Sequence, residues 1–415
     1  MNISQSPWIC FQIGAREHYA IPRVLEQQKQ LSYLITDAWV TPESLFNFLP
    51  KSVLSNLRER YHSQLNIASV HSFNNSLIQF EIQQKLKRQS GWETIIDRNN
   101  WFQAKCIDFL QQVSLQITEP VTIFSYSYAA LEIFKFAKKQ GWQTILGQID
   151  PGIYEEELVK QEYKLYPQYV SNWQFAPPEY WQNWQQECNL ADKIIVNSEW
   201  SSKALQKTGI AAHKIKNIPL GYKVPSSPQE FTKFYPKSFS YNRPLKVLFL
   251  GQIILRKGVA RILEAIELLT HEAIEFWFVG SLNVDLPQKV KNNPKVKCFG
   301  SVSRSTTASY YQQADVFLFP TLSDGFGLTQ LEAQAWKLPI IASQNCGEVV
   351  TDRVNGLLLP EVTGKSIAQS LLFCLYNPDL LLQFSQRSSK TISDFSLNKL
   401  GNELHLLNKY KVKIS

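Results

Sequence analysis

Residues 319–333 read FPTLSDGFGLTQLEA, and this stretch decides how the rest of the chain is interpreted. It continues the apolar run 314–319, which predicts a buried strand. Two glycines then turn the chain into a helical segment, with Asp324 on the turn and Glu332 inside the helix. Few structural roles need two acids on one strand–turn–helix unit, so we interpret the stretch as a binding site.

The rest of the chain repeats this alternation of short apolar runs and helical patterns. Such alternation predicts an α/β fold with parallel sheets covered by helices on both faces. With 415 residues the chain is too long for one ordinary core, which favours two domains. The periodicity stops between 223 and 244, where several prolines interrupt the pattern. We therefore place the domain boundary there, with a first domain at 1–222, a hinge at 223–244 and a second domain at 245–395.

Composition and charge narrow the class of protein. The chain is 44% hydrophobic with a net charge of +8, and no apolar run reaches the roughly 18–20 residues of a membrane span. The first residues lack a basic segment followed by an apolar one, so we expect no signal peptide. Six scattered cysteines without a CxxC pair suit a reducing compartment, and we expect core or near-core thiols in a cytoplasmic protein. Basic residues are spread without one long basic helix, so we expect no nucleic-acid partner.

Several site patterns are absent from the sequence. No G-x-G-x-x-G follows a predicted strand, which argues against a nicotinamide site. No D-x-D pair is present, although such a pair is the usual way to hold a divalent ion on a nucleotide sugar. We therefore expect neither a metal nor a bound cofactor.

Three loops of the second domain follow strands, at 251–258, 280–283 and 321–328, and ligands of open parallel sheets bind at such strand ends. Arg256 and Lys257 are the cations for a phosphate there, and the start of the helix at Leu328 offers free amides to an anion. Glu332 can accept two ribose hydroxyls. Taken singly, each residue also has a purely structural explanation, as a helix cap, a solvated acid or part of a surface loop. Together they fit a ligand that carries a diphosphate and a ribose.

At this point the second domain resembles a known family, the retaining nucleotide-sugar glycosyltransferases of family 4, or group 1 glycosyltransferases, which have the GT-B fold. Residues 248–258 (LFLGQIILRKG) resemble the donor-diphosphate loop of the family, and residues 314–328 resemble its nucleotide-sugar motif. The match continues at 342–343, 347–350 and 355–358, and in the first domain at 191–199 and 218–222.

The resemblance implies two Rossmann-like domains facing each other across a cleft, with a C-terminal helix at 396–415 that crosses back to the first domain. It further implies that Lys257 contacts the donor diphosphate, Glu332 holds the ribose hydroxyls and Asp324 binds hydroxyls of the transferred sugar. These three are the catalytic candidates, with Asp150 as a fourth that positions the acceptor or the sugar. The implied donor-binding residues are Gly251, Gln252, Arg256, Lys257, Gly280, Asp324, Gly325, Phe326, Gly327, Leu328 and Glu332.

The implied reaction is metal-independent transfer of a hexose-type sugar from a nucleotide diphosphate sugar to a hydroxyl, with retention. The acceptor is unknown, and a lipid-linked or polysaccharide acceptor, with peripheral membrane contact, suits a basic, aromatic-rich chain. The acceptor-side candidates in the first domain are Gly14, Arg16, His18, Tyr126 and Gln148.

Three positions depart from the pattern of the family. Asp324 stands where a glutamate is usual, Gln252 where an arginine is usual, and residues 148–150 (QID) where a histidine is often found. A lost charge-assisted hydrogen bond changes binding by about 1.5–3 kcal/mol. Two alternatives therefore stay open: a nucleotide-sugar-binding partner subunit without transferase activity, and a nucleotide-sugar epimerase on the same fold.

Overall fold

The structure is a computed structural model that describes residues 6–44, 60–88, 90–169, 174–225 and 227–407. Within these ranges the chain forms two parallel sheets, which confirms the predicted fold class. The strands of the first sheet are β1 Trp8–Gln12, β2 Leu31–Thr36, β3 Val70–Ser72, β4 Thr122–Tyr126, β5 Gln143–Gly147, β6 Lys193–Val196 and β7 Ile215–Asn217. Those of the second sheet are β8 Leu245–Leu250, β9 Ile274–Val279, β10 Val296–Gly300, β11 Val316–Phe319, β12 Ile340–Ala342 and β13 Gly356–Leu358.

Both sheets reverse their strand order near the middle. The first runs β3-β2-β1-β4-β5-β6-β7 and the second β10-β9-β8-β11-β12-β13. The loops that follow β1 and β4, and those that follow β8 and β11, therefore leave each sheet in opposite directions and open a crevice. This topology positions the stretch at 319–333 at the crevice of the second sheet.

Helices cover both faces of each sheet. In the first domain they are Ala20–Gln27, Asn74–Lys87, Trp92–Val113, Leu131–Lys139, Ile153–Leu165, Pro178–Leu190 and Glu199–Lys207. In the second they are Val259–Leu268, Gln288–Lys291, Arg304–Gln313, Leu328–Ala335, Gly364–Tyr376 and Pro378–Thr391. The short helix Ser227–Glu230 comes between β7 and β8 along the chain. The last described helix, Leu397–Leu407, packs on Ala20–Gln27 and buries Leu400 and Leu404 in the core of the first domain.

Some sequence expectations need correction. The helical pattern of residues 15–29 predicts a helix that Pro22 would break or kink. The α-helix instead runs from Ala20 to Gln27, so Pro22 lies in its first turn, where no amide donor is needed. The 22-residue helix Trp92–Val113 is not predicted, because its apolar positions are interrupted by polar ones. Cys298 is exposed, unlike the other cysteines. The predicted helical segment at 45–60 lies almost entirely outside the described residues.

Asp37 holds the first crevice loop in place. It is fully buried at the end of β2, where its carboxylate accepts hydrogen bonds from the Gly14 amide at 2.9 Å and from Arg98 at 2.7 Å, and also from Arg60. Burial opposes its ionisation, but the two guanidinium groups outweigh this effect and hold the pKa of Asp37 below its ordinary value. The loop after β1 is therefore fixed by one buried charge cluster.

We expect Asp37→Asn to lower the free energy of unfolding by about 2–4 kcal/mol, because it leaves two partly buried guanidinium groups without their counter-charge. Asp108→Asn is the matched control, since Asp108 pairs with Lys105 on the exposed surface, where an ion pair contributes less than about 1 kcal/mol. Urea unfolding at neutral pH measures both. Equal losses in the two variants would contradict the assigned role of Asp37.

Candidate functional site

The loops that follow β8 and β9 approach each other at two glycines. Gly251 and Gly280 have φ angles of 146° and 143°, a region that residues with a side chain rarely adopt. A Cβ added to Gly280 would lie only 1.8 Å from the carbonyl oxygen of Gly251. Both positions therefore need glycine to keep these strand ends together. The next residue, Gln252, is exposed at the mouth of the loop.

The centre of the site is the ion pair between Lys257 and Asp324, which joins the loops after β8 and β11. The Nζ atom of Lys257 also lies 5.0 Å from the ring centre of Phe319. Burial opposes the ionisation of Asp324, but Lys257 and Arg256 outweigh it, so the pKa of Asp324 lies below its ordinary value. The Phe326 amide adds a hydrogen bond to the same carboxylate. Asp324 is therefore ionised at neutral pH, in a site where cations already surround it.

Arg256 connects this charge cluster to the first domain. Its Nη1 atom donates to the carbonyl oxygen of Ser323 at 2.9 Å, lies 4.0 Å from Asp324 and lies 3.4 Å from Glu155 of the helix Ile153–Leu165. Burial raises the pKa of Glu155 to about 7, and nearby Asp150 and Asp324 add to the effect that Arg256 opposes. Glu155 is thus a titrating group at neutral pH, and the sequence carries no signal for it because its partner lies in the other domain.

The two domains touch at Gly325. A Cβ at this position would lie 2.1 Å from the carbonyl oxygen of Ile149, and Trp200 donates to Ser323 at 3.0 Å beside it. The resemblance implies that Gly325 and Gly327 bind the donor, and this stays a prediction. The first domain itself lies against Gly325, and the ring of Phe319 lies against Gly327.

Asp150 is held beside this contact by a hydrogen-bond network. Its Oδ1 atom accepts from the Gln148 side chain at 3.0 Å, from the Gly152 amide at 2.9 Å and from the hydroxyl of Tyr128. Gln148 is buried and is itself held by the indole of Trp184 at 2.9 Å. The structure therefore brings together Gln148 and Asp150 from the predicted acceptor side, and it adds Tyr128, which sequence reasoning missed.

Glu332 lies away from the ion pair, in a cavity of about 780 Å³ between the domains. It accepts a hydrogen bond from the hydroxyl of Tyr311 at 2.9 Å. Leu328, His18 and Arg23 line the same cavity. His18 therefore faces the end of the site that carries Glu332 rather than the end that carries Asp150.

Three consecutive residues on the first-domain side adopt left-handed backbone angles. Glu17, His18 and Tyr19 have φ of 51°, 53° and 58°, which is costly for residues with a side chain. Burial raises the pKa of Glu17 to about 7, against the opposing influence of Tyr126 and Arg16. This strained turn projects Glu17 and His18 into the cavity that holds Glu332.

The remaining predicted residues divide between the two ends. Arg16 is exposed and its guanidinium lies 5.9 Å from the ring centre of Tyr126, which is buried. The Gly14 amide is engaged by Asp37. Phe326 is a core residue whose ring packs edge-on against Phe395 at 5.7 Å. The side chain of Phe326 is thus structural, and only its backbone faces the charge cluster.

With this geometry established, comparisons with known proteins identify the second domain. Residues 244–377 match the family model of glycosyl transferases group 1. Over these residues the second domain is similar to the group 1 glycosyltransferases. In the amylovoran biosynthesis glycosyltransferase AmsK of Erwinia amylovora, 194 residues align at 26% identity, 43% of this chain and 46% of that protein. An uncharacterized 41.2 kDa protein in the cps region of Klebsiella pneumoniae aligns over 171 residues at 27% identity, 40% of this chain and 48% of that protein. The chain thus spans about half the length of the curated relatives it matches.

Solved structures extend the similarity to both domains. Sucrose-phosphate synthase from Thermosynechococcus elongatus superposes with a TM-score of 0.66 at 16% identity, covering 97% of this chain and 98% of that one. Anabaena Alr3699/HepE, solved in complex with UDP, gives a TM-score of 0.59 at 14% identity, covering 97% and 99%. At such identities the likeness establishes the fold alone, and this fold is GT-B. Among the described helices, none combines the length and the apolar character that a membrane crossing requires.

The raised pKa of Glu155 predicts a pH-dependent stability. A carboxyl whose pKa is higher in the folded state stabilises the fold at low pH, and this contribution is lost as the pH rises from the unfolded value near 4.3 through about 7. We expect Glu155→Gln to become more stable relative to wild type by about 1–3 kcal/mol between pH 5 and pH 8. Urea unfolding across this range measures the difference.

Glu157→Gln is the control, because Glu157 is exposed on the same helix. A difference between Glu155→Gln and wild type that stays constant with pH would contradict the proposed titration of Glu155.

Proposed function

We propose that the chain is a retaining, metal-independent glycosyltransferase that moves a hexose-type sugar from a nucleotide diphosphate sugar to an acceptor hydroxyl. The observation that carries the proposal is the Lys257–Asp324 ion pair with Arg256 beside it, at the strand ends where the two domains meet. The names of the aligned relatives support transferase activity over the binding-subunit and epimerase alternatives.

The charges at this point suit a leaving diphosphate. Two cations pair with Asp324 on the turn that leads into the helix Leu328–Ala335, and the start of a helix favours an anion. A diphosphate that departs from the anomeric carbon gains negative charge, and fixed cations and amides stabilise it in the transition state without a metal ion. The complexes of Alr3699/HepE with UDP and with UDP-glucose support a nucleotide sugar as donor.

The proposed orientation of the donor follows from the separation of Glu332, which lines the larger cavity, from the Lys257–Asp324 ion pair, which does not line it. The ribose lies at Glu332 in the 780 Å³ cavity, the diphosphate at Lys257 and the sugar at Asp324. The acceptor oxygen then bonds to the anomeric carbon on the side from which the diphosphate leaves. The bond from this carbon to the diphosphate oxygen breaks, and the hydroxyl proton leaves with the diphosphate. Retention of configuration follows from this same-side attack.

Replacement of Lys257 tests the reaction. We expect Lys257→Ala to lower kcat at saturating donor by about 10²–10³-fold, the loss typical when one group that stabilises a developing anion is removed. Product release from UDP-, GDP- and ADP-sugars, with and without hydroxyl acceptors, measures turnover. Lys289→Ala is the control, since Lys289 is exposed on the same domain and pairs with Glu267.

Turnover of Lys257→Ala at the wild-type rate would refute the phosphate assignment. Tight nucleotide binding by the wild type without any turnover would instead support the partner-subunit alternative. Rearrangement of the donor sugar in the absence of acceptor, followed by NMR, would support the epimerase.

The ribose assignment of Glu332 has a separate test. We expect Glu332→Gln to weaken the best-bound of UDP, GDP and ADP about 10-fold, because a hydrogen bond to a charged group contributes about 1.5–3 kcal/mol. The same substitution should hardly change the affinity for the 2′,3′-dideoxy analogue of that nucleotide, so that the two losses are non-additive. Calorimetric titration gives all four affinities, with Glu267→Gln as an exposed control. Additive losses would place the ribose elsewhere.

A further inference from the structure

A second cavity of about 540 Å³ lies between the domains on the other side of the charge cluster. The first domain contributes most of its wall, through the helices Ile153–Leu165 and Pro178–Leu190 and the start of Trp92–Val113. The second domain closes it with Ile254, Leu282 and Asn283. The cavity size falls in the range of roughly 300–1,000 Å³ that is usual for small-molecule sites.

Aromatic rings dominate the wall. The five aromatic residues that line the cavity are Trp92, Tyr128, Tyr163, Tyr180 and Trp181. Tyr128 and Tyr180 stack with ring centres 4.8 Å apart and planes inclined by 18°, and Trp92 lies 4.9 Å from Tyr180. All five are only partly buried and line the cavity, while Tyr128 and Trp181 also pack on the core of the first domain and Tyr163 on that of the second. Such a wall suits a ligand with an apolar face.

Carboxylates provide the polar side of the cavity. Asp150, Glu155 and Glu156 line it, against the single guanidinium of Arg256. Glu156 is already engaged by the amide of Ala176 and the indole of Trp181. Lys160 also pairs with Glu156, at 3.4 Å, which leaves Asp150 and Glu155 against Arg256. Two acids and one base disfavour a phosphorylated or uronic ligand and favour one that donates hydrogen bonds from hydroxyls.

A pyranose combines these two requirements, because its C–H face packs on aromatic rings while its hydroxyls donate to carboxylates. We propose that this cavity binds the acceptor, and that the acceptor is a neutral sugar. The inference rests on the proposed transferase function. Asp150 and Arg256 belong both to this cavity and to the neighbourhood of Asp324, so an acceptor seated here presents a hydroxyl to the donor sugar.

The experiment uses the full chain saturated with whichever of UDP, GDP or ADP binds. Saturation-transfer NMR compares neutral disaccharides (maltose, cellobiose and lactose) with glucose 6-phosphate and glucuronic acid. We expect signal from at least one neutral sugar and none from the two anionic sugars. Tyr180→Ala should reduce the signal at least fivefold, whereas Tyr180→Phe, which keeps the ring, should restore most of it.

Two further variants complete the experiment, one that fills the cavity and one that serves as a control. Leu282→Trp fills the cavity from the second domain without removing a core residue, since Leu282 is 48% exposed, and it should also abolish the signal. Tyr376→Ala is the matched control on an exposed tyrosine of the second domain. Nucleotide affinity should stay within twofold in Tyr180→Ala, because the cavity is separate from the one that holds Glu332.

The outcomes distinguish the two proposals. If no nucleotide binds and no donor is turned over, the proposed function fails. If nucleotide binds and donor is hydrolysed but neutral sugars give no signal, or if Tyr180→Ala and Leu282→Trp leave the signal intact, the acceptor proposal fails alone. Loss of nucleotide affinity in Tyr180→Ala would assign the cavity to the donor and would also overturn it, as would preferential binding of glucose 6-phosphate.

Discussion

Four charges at the domain contact hold the site together. Lys257 and Arg256 come from one loop of the second domain, Asp324 from the next, and Glu155 from the first domain. Each carboxylate lies near at least one cation, which is the condition for keeping partly buried charges inside a protein. Asp324 lies near two cations and Arg256 near two carboxylates, so the four charges form one connected cluster. This cluster helps to fix the loops after β8 and β11 against the helix Ile153–Leu165, together with the packing of Tyr163 on the core of the second domain.

This balance has a consequence for ligand entry. An anion that reaches Arg256 competes with Glu155 for the same guanidinium. Glu155 has a pKa raised to about 7 by burial, so the loss of Arg256 as a partner favours its neutral form further. A protonated Glu155 no longer draws Arg256 toward the first domain. Binding of a negatively charged group at Arg256 therefore weakens the ion pair between Arg256 and Glu155, which links the two domains.

The sequence predicted the parallel sheets because their strands are continuous apolar runs, and the predicted run 314–319 contains β11, Val316–Phe319. The joint occurrence of Arg256, Lys257 and Asp324 at strand ends was likewise readable, since topology alone brings such loops together. The roles of Glu155 and Tyr128 in the site could not be predicted from the sequence, because the residues that they contact are distant in sequence. The contact of Gly325 with Ile149 was not predicted for a related reason: a glycine indicates close approach of another group, but the pattern does not say that the facing domain supplies one.

The aromatic residues of the first domain give its side of the cleft a different character from the charged side that the second domain provides. The described residues of 153–169 and 174–190 contribute no strand to the sheet, and their helices carry tyrosines and tryptophans at positions that stay partly exposed. In a core helix such residues would be buried, and Trp184 on the same helix as Trp181 shows this behaviour, since it is 1% exposed. The half-exposed rings therefore need a second explanation, and they surround one cavity that ends at Asp150. The second domain supplies the charges that a diphosphate requires, and the first supplies ring surface and carboxylates. These two kinds of surface meet at Arg256, which lies 4.0 Å from Asp324 and also lines the aromatic cavity.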